Sequence, residues 1–278
     1  MESSNTLTLG FSPCPNDTLI FYGLAHKYVG TEINWNLHID DIQSLNSLAI
    51  TNTIDVAKIS YNAFGHVASK YVMLGAGGAL GRGVGPLVVS REPLSGLEGK
   101  TVAIPGSLTT AHLLLRLSQP DTIKMVPVRY DMIMPSVSSG EVDAGLIIHE
   151  SRFTYEALGL YKYIDLGAWW EESTGLPIPL GGIAAKRELG WQRLLRIEEI
   201  IRESLEFGQQ HPSEANSYIA KHAQEMSAEV RQQHIDLYVN DFSIDLGTSG
   251  RAACRALLEL SAEQNLIPKV PQDLFLTD

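Results

Sequence analysis

Cysteine is almost missing from this sequence. Its 278 residues include two, Cys14 and Cys254, too few for a disulfide scaffold. Neither sits in a CxxC pair or a Cys/His cluster with zinc spacing, which excludes a structural zinc site. Basic charge is short as well: 21 Lys and Arg stand against 32 Asp and Glu, a net charge of −11. Such a surface repels polyphosphate backbones and anionic lipid headgroups, so neither nucleic acid nor a membrane is an expected partner, although a local basic pocket stays open. No stretch approaches the ~18 consecutive apolar residues of a membrane-spanning helix. Over residues 1–9, acidic and polar residues stand where a secretory signal has a basic patch and an apolar run; the expected location is the cytoplasm. Internal repeats and low-complexity linkers are lacking too, which argues against beads on a string.

The familiar cofactor and nucleophile signatures also fail. Glycines crowd residues 75–85, but from Gly81 and Gly83 the third position of a GxGxxG phosphate loop is Pro86. Gly99-Lys100-Thr101 ends like a P-loop, yet Leu94 occupies the place of its first glycine and a strand pattern follows. His149-Glu150 opens like HExxH, but Phe153 stands where the second histidine belongs. Ser249 is not in a hydrolase elbow, because the final glycine of that motif is Arg251. No metal and no cofactor are therefore expected, and any chemistry must come from isolated side chains in a cleft.

What is present is ordinary globular material, 44% apolar and 19% charged. At about 150 residues per domain it makes one large domain or two modest ones. Strand-type runs at 7–11, 33–39, 56–60, 71–75, 86–90, 101–104, 125–128, 144–148 and 178–184 alternate with helical stretches, which predicts an α/β fold with mostly parallel pairing. Ile33, Trp35, Leu37 and Ile39 alternate with polar residues, the period of a strand with one wetter face, whereas Leu146, Ile147 and Ile148 suit a strand covered on both faces. From Trp191 onward, Leu194, Ile197, Ile201 and Leu205 recur at helical spacing. Further helices are expected after Pro212, from an N-cap at Ser227, and from about Ser249 to Leu266, so the C-terminal third is helix-rich. The glycine stretch at 75–85 and the segment 175–182 read as crossovers between lobes. The expected division is a discontinuous first lobe, 1–90 and 183–278, and an inserted second lobe, 91–182. Hinge strands near 86–90 and 178–184 would pair and permit closure on a ligand.

Four places point at that cleft. Ser12-Pro-Cys-Pro-Asn-Asp-Thr18 joins a strand to a helical stretch at 19–29, where α/β proteins place ligands, with Asn16 or Asp17 as the expected N-cap. Lys58-Ile59-Ser60 ends a strand. Thr109 and Thr110 open a helix whose free N–H groups and hydroxyls suit a carboxylate or a hydroxyl-rich ligand, though simple capping explains them equally. His149 stands where the run 144–148 terminates, a position from which an imidazole can act as a general base or merely be hydrogen-bonded. Arg82, in the glycine stretch, is either an anion binder or a solvated loop charge. Cys14 precedes a helix start that would lower a thiol pKa, or is a small loop filler, the simpler reading.

The strings Ser-Pro-Cys-Pro-Asn-Asp-Thr at 12–18, Ala-Lys-Ile-Ser-Tyr at 57–61, Gly-Ala-Leu-Gly-Arg-Gly-Val-Gly-Pro-Leu at 78–87, Pro-Gly-Ser-Leu-Thr-Thr-Ala at 105–111, Gly-Leu-Ile-Ile-His-Glu-Ser-Arg-Phe-Thr-Tyr at 145–155 and Leu-Pro-Ile-Pro-Leu-Gly-Gly at 176–182, in that order, resemble the 1,4-dihydroxy-6-naphthoate synthases of the futalosine route to menaquinone. The resemblance implies a two-lobe fold of the type II periplasmic-binding-protein kind, used as a cofactor-independent lyase. It implies conversion of cyclic dehypoxanthine futalosine to 1,4-dihydroxy-6-naphthoate and dihydroxyacetone. His149 would be the proton acceptor, and Lys58, Ile59, Ser60, Thr109 and Thr110 would bind substrate, with Asn16 and Arg82 beside them. No obligate protein partner is implied. Two other readings share the fold: a cytoplasmic solute-binding or sensing protein without turnover, and the chorismate dehydratase of the same pathway.

Overall fold

A computed structural model describes residues 5–119, 121–223 and 227–277; the ends of the expected first lobe, residues 1–4 and 278, lie outside them. The strands are β1 (Thr6–Phe11), β2 (Asn34–Ile39), β3 (Val56–Ser60), β4 (Tyr71–Met73), β5 (Ala79–Gly81), β6 (Leu87–Ser90), β7 (Thr101–Ile104), β8 (Lys124–Pro127), β9 (Ala144–Ile147), β10 (Tyr161–Asp165) and β11 (Ile178–Lys186). The helices are α1 (Pro15–Ile20), α2 (Tyr22–Ala25), α3 (Ile42–Ile50), α4 (Tyr61–Val67), α5 (Thr110–Ser118), α6 (Ile133–Ser139), α7 (Ser151–Thr154), α8 (Leu166–Thr174), α9 (Trp191–Gln210), α10 (Pro212–His222), α11 (Ala228–Tyr238), α12 (Asp241–Ile244) and α13 (Gly247–Glu263).

Two sheets result. The first runs β2-β1-β3-β11-β4 with β5 also on β11, and the second runs β10-β6-β9-β7-β8. The expected excess of parallel pairs is corrected: β1 is parallel to β2 and β3, and β7 to β8 and β9, but β6 and β11 run antiparallel to every strand they touch. The physical reason is that each of these two strands enters its sheet from the other lobe. A chain arriving that way is free of the right-handed crossover that makes neighbouring strands parallel. Nor do β6 and β11 pair with one another. Residues 86–90, expected at the edge of the first lobe, lie in the second sheet, and 178–184 lie in the first. The crossings are thus the short segments before β6 and before β11. The first passes the start of α8 so closely that a Cβ on Gly85, at φ +127°, would meet the Cα of Gly167 at 3.0 Å.

Strand patterning follows the expected periods. β2 alternates exposed Asn34, Asn36 and His38 with half-buried Trp35, Leu37 and Ile39, and β9 is buried throughout. Two short strands, β5 and β10, escaped the pattern reading, because β5 is three residues within a glycine run and β10 exposes Tyr161 and Lys162. Ser227 caps α11 by accepting from the Val230 N–H. The largest apolar cluster is continuous from Tyr61 and Phe64 in the first lobe to Val102, Leu114 and Trp170 in the second. The lobes therefore meet through packed side chains as well as through the chain crossings.

Candidate active site

Between the lobes lies a cleft enclosing about 670 Å³ of atom-free space, open solvent included. Its first-lobe wall begins at the end of β1. Pro15 occupies the first turn of α1, where its missing N–H and fixed φ cost nothing, so the helix starts there and Cys14 is the N-cap. This corrects the expected cap at Asn16 or Asp17: both fall inside the helix, and their side chains are released to the cleft. Asp17 turns back to accept from Ser12 Oγ at 2.7 Å and meets Lys58 Nζ at 3.2 Å, both charged side chains almost fully buried. Lys58 also donates to the Gly77 carbonyl at 2.6 Å. Two of its three N–H donors are thereby engaged.

Lys58 and Ser60 line the cleft and Ile59 does not. Successive strand residues face opposite ways, and the Ile59 side chain joins the apolar core. Ser60 Oγ accepts from Asn46 Nδ2 at 3.1 Å, which leaves its own O–H free to donate.

Thr109 and Thr110 both line the cleft from the second lobe, but their hydroxyls are committed inside the protein. Thr109 Oγ1 donates to Gly106 O at 2.8 Å and accepts from the His112 N–H, as an N-cap does. Thr110 Oγ1 donates to Leu180 O at 2.5 Å and accepts from the Tyr61 N–H at 2.9 Å. What this corner offers a ligand is the start of α5, where N–H groups have no intrahelical partner.

His149 follows β9 and takes φ +57°, a left-handed conformation uncommon for any residue with a Cβ. It turns the imidazole out of the strand line and into the cleft. Its Nδ1 lies 3.5 Å from Cys14 Sγ across the lobe boundary, and the ring of Tyr130 stands edge-on to it at 5.4 Å. Burial pushes the imidazole below its ordinary value, against the opposing pull of Glu150, Asp17 and Asp41. A neutral ring is the form a base requires. Burial also pushes the Cys14 thiol well up, with Glu150 and Asp17 adding to it, so Cys14 stays protonated at neutral pH and the reactive-thiolate alternative falls.

Arg82 is absent from the cleft lining. Its side chain is 57% exposed and reaches Gly175 O at 2.7 Å and Glu171, which places it in the exposed loop rather than in the cleft. The crossing is instead tied down by Arg152, which pairs with Asp165 at 2.7 Å and donates to Gly85 O and Gly83 O. Sequence reasoning missed His234, whose Nε2 is 2.9 Å from Asn16 Oδ1, and Tyr238, one turn on along α11. The i, i+4 spacing of His234 and Tyr238 placed both on one helix face, but nothing local said that this face closes the cleft. Among the described residues no group of three His, Cys, Asp or Glu is arranged to hold a metal ion.

Two-lobe binding proteins share this architecture. The alkanesulfonate-binding protein of Xanthomonas axonopodis superposes with a TM-score of 0.69 at 12% identity, covering 97% of this chain and 96% of its own. A crystal structure of an Archaeoglobus fulgidus protein superposes at 0.91 with 35% identity, over 96% and 100% of the two chains. The menaquinone biosynthesis family matches residues 7–263, and the chain belongs to it. It is 49% identical to the 1,4-dihydroxy-6-naphthoate synthase of Thermus thermophilus, covering 97% of this chain and 99% of that one, and 45% identical to the enzyme so named in Streptomyces coelicolor, over 98% of each.

Proposed function

We propose that this chain is a carbon–carbon lyase that forms 1,4-dihydroxy-6-naphthoate in menaquinone biosynthesis, with His149 as its general base. The observation that carries the reading is a neutral imidazole on a left-handed strand end, turned into the cleft between two lobes, in a chain nearly half identical to proteins named for that activity. With cyclic dehypoxanthine futalosine bound, His149 takes the proton of a substrate hydroxyl. The oxygen's electrons form a carbonyl as the adjacent carbon–carbon bond breaks, and the pair released from that bond passes to the ring system that becomes aromatic. In the tautomer whose Nδ1–H faces the Cys14 sulfur, Nε2 carries the lone pair this step needs. The start of α5 suits the substrate carboxylate, Ser60 suits a hydroxyl, and lobe closure excludes water and fixes geometry.

The reaction needs only its small-molecule substrate in this reading, without nucleic acid, membrane or obligate protein partner, in keeping with the net charge of −11. Two buried free cysteines fit a reducing cytoplasm, which cell fractionation tests. No helix among the described residues is long and apolar enough to cross a membrane. The decisive experiment incubates purified protein with cyclic dehypoxanthine futalosine and follows the naphthoate chromophore. Product is expected. Ligand bound without product would leave a binding protein instead.

A further inference from the structure

His234 is buried to 1% exposure on α11 and lines the same cleft, its ring tilted against Tyr238 at 4.6 Å. Its protonation pattern can be worked out from its neighbours. Asn16 Nδ2 donates to Asp17 Oδ1 at 2.9 Å, and that carboxylate also accepts from Ser12 and faces Lys58. Reversing the Asn16 amide would set its carbonyl against a carboxylate, so Oδ1 is the atom that faces His234. An amide oxygen only accepts, hence His234 Nε2 carries the proton in the 2.9 Å contact. Burial and the neighbouring His149 push His234 down to about 3, so the ring holds this one proton and no second. Nδ1 is left as a bare lone pair, and it is among the few buried polar atoms of the described residues with no partner in the protein.

A buried acceptor without a donor calls for one from outside. Resting on the lyase reading, we propose that His234 is a substrate-binding residue whose Nδ1 accepts a hydrogen bond from a hydroxyl of the polyol part of the substrate. The ring centroids of His149 and His234 are 6.4 Å apart, close enough for both to address one polyol fragment. The two histidines then divide the work: His149 removes a proton, while His234, held in one tautomer through Asn16 and Asp17, orients a hydroxyl and keeps none of its protons. The site selects donors. A deoxy analogue, or one with a carbonyl at that position, meets an unsatisfied lone pair.

The test is calorimetric binding of cyclic dehypoxanthine futalosine in the His149→Ala background, where turnover does not interfere. His234→Gln keeps a donor for Asn16 and removes the Nδ1 acceptor; its Kd is expected to rise about tenfold to a hundredfold with melting unchanged. His234→Asn, which restores an acceptor near the Nδ1 position, should recover part of the loss. Binding by His234→Gln within twofold of the parent would overturn the proposal. Should that variant fail to fold, the 15N resonance of His234 Nδ1 in the parent decides: a shift upfield on ligand addition supports the bond, and an unmoved resonance removes it. Wild-type protein that binds this ligand without producing naphthoate would defeat the lyase reading alone, leaving the binding comparison to judge His234.

Discussion

The two walls of the cleft are built on different terms. On the first-lobe side, Ser12, Asn16, Asp17, Lys58 and His234 are joined by contacts within their own lobe, with His234 Nδ1 left without a partner. On the second-lobe side the polar contacts reach across. Thr110 donates to Leu180 O, Leu108 N donates to Gln43 Oε1, Asn46 donates to Leu108 O, and Asn62 donates to Ser107 O and Thr109 O. His149 touches Cys14. One wall is therefore held by contacts within its own lobe, and the other largely by contacts to the lobe opposite. The buried charges thus sit on the internally bonded wall, and the base and the helix start on the wall whose contacts cross the cleft.

The comparison is broken most heavily at the buried pair. Lys58→Met leaves Asp17 as an unpaired buried carboxylate and should destabilise the protein by about 3–5 kcal/mol, read from urea unfolding; a change below about 1 kcal/mol would mean the internally bonded wall is no scaffold. His149→Ala removes no such partner, so unfolding should stay near wild type while turnover drops about 100-fold or more. Near-normal naphthoate production by that variant would sink the assignment of the base.

Acidification should act on both histidines in one direction. Their folded-state pKa values lie below the ordinary 6.5 or so, with His234 at about 3. Below about pH 6.5 the unfolded chain binds protons that the folded one refuses, so stability falls with falling pH. For His234 alone this amounts to about 2 kcal/mol between pH 6.5 and 5, and a His234→Gln variant should show a flatter profile over that range. The lowered pKa of His149 puts the acidic limb of the kcat/KM profile below pH 6.5. Asn62→Ala, which removes two hydrogen bonds from the first lobe to the Ser107 and Thr109 carbonyls, should raise KM several-fold and lower stability by about 1 kcal/mol. At the small end, Arg82→Ala, outside the cleft, should move stability by less than about 0.5 kcal/mol and leave turnover within twofold; a large loss of turnover would return Arg82 to the site.

Much of the internally bonded wall was legible along the chain, because it is local. Ser12 through Asp17 lie within one strand-to-helix turn, and Lys58 and Ser60 share a strand face by simple alternation. The helix start at Thr109 was equally readable from its capping residues. The committed state of the Thr109 and Thr110 hydroxyls was not, since Leu180 and Tyr61, which use up Thr110, stand 70 and 49 residues away.

By itself the sequence determined the α/β alternation, the helix-rich C-terminal third, the helix starts at Thr109 and Ser227, and the placing of His149 at a strand end. Each of these depends on burial period or on hydrogen bonds within a few residues. Tertiary structure alone decided that β6 and β11 run against their neighbours, that Arg82 faces solvent, and that His234 meets Asn16 across 218 positions of chain. Periodicity tells a residue which side is buried. It holds no information on which distant side chain waits there, and the chemistry of this cleft is made of such pairs.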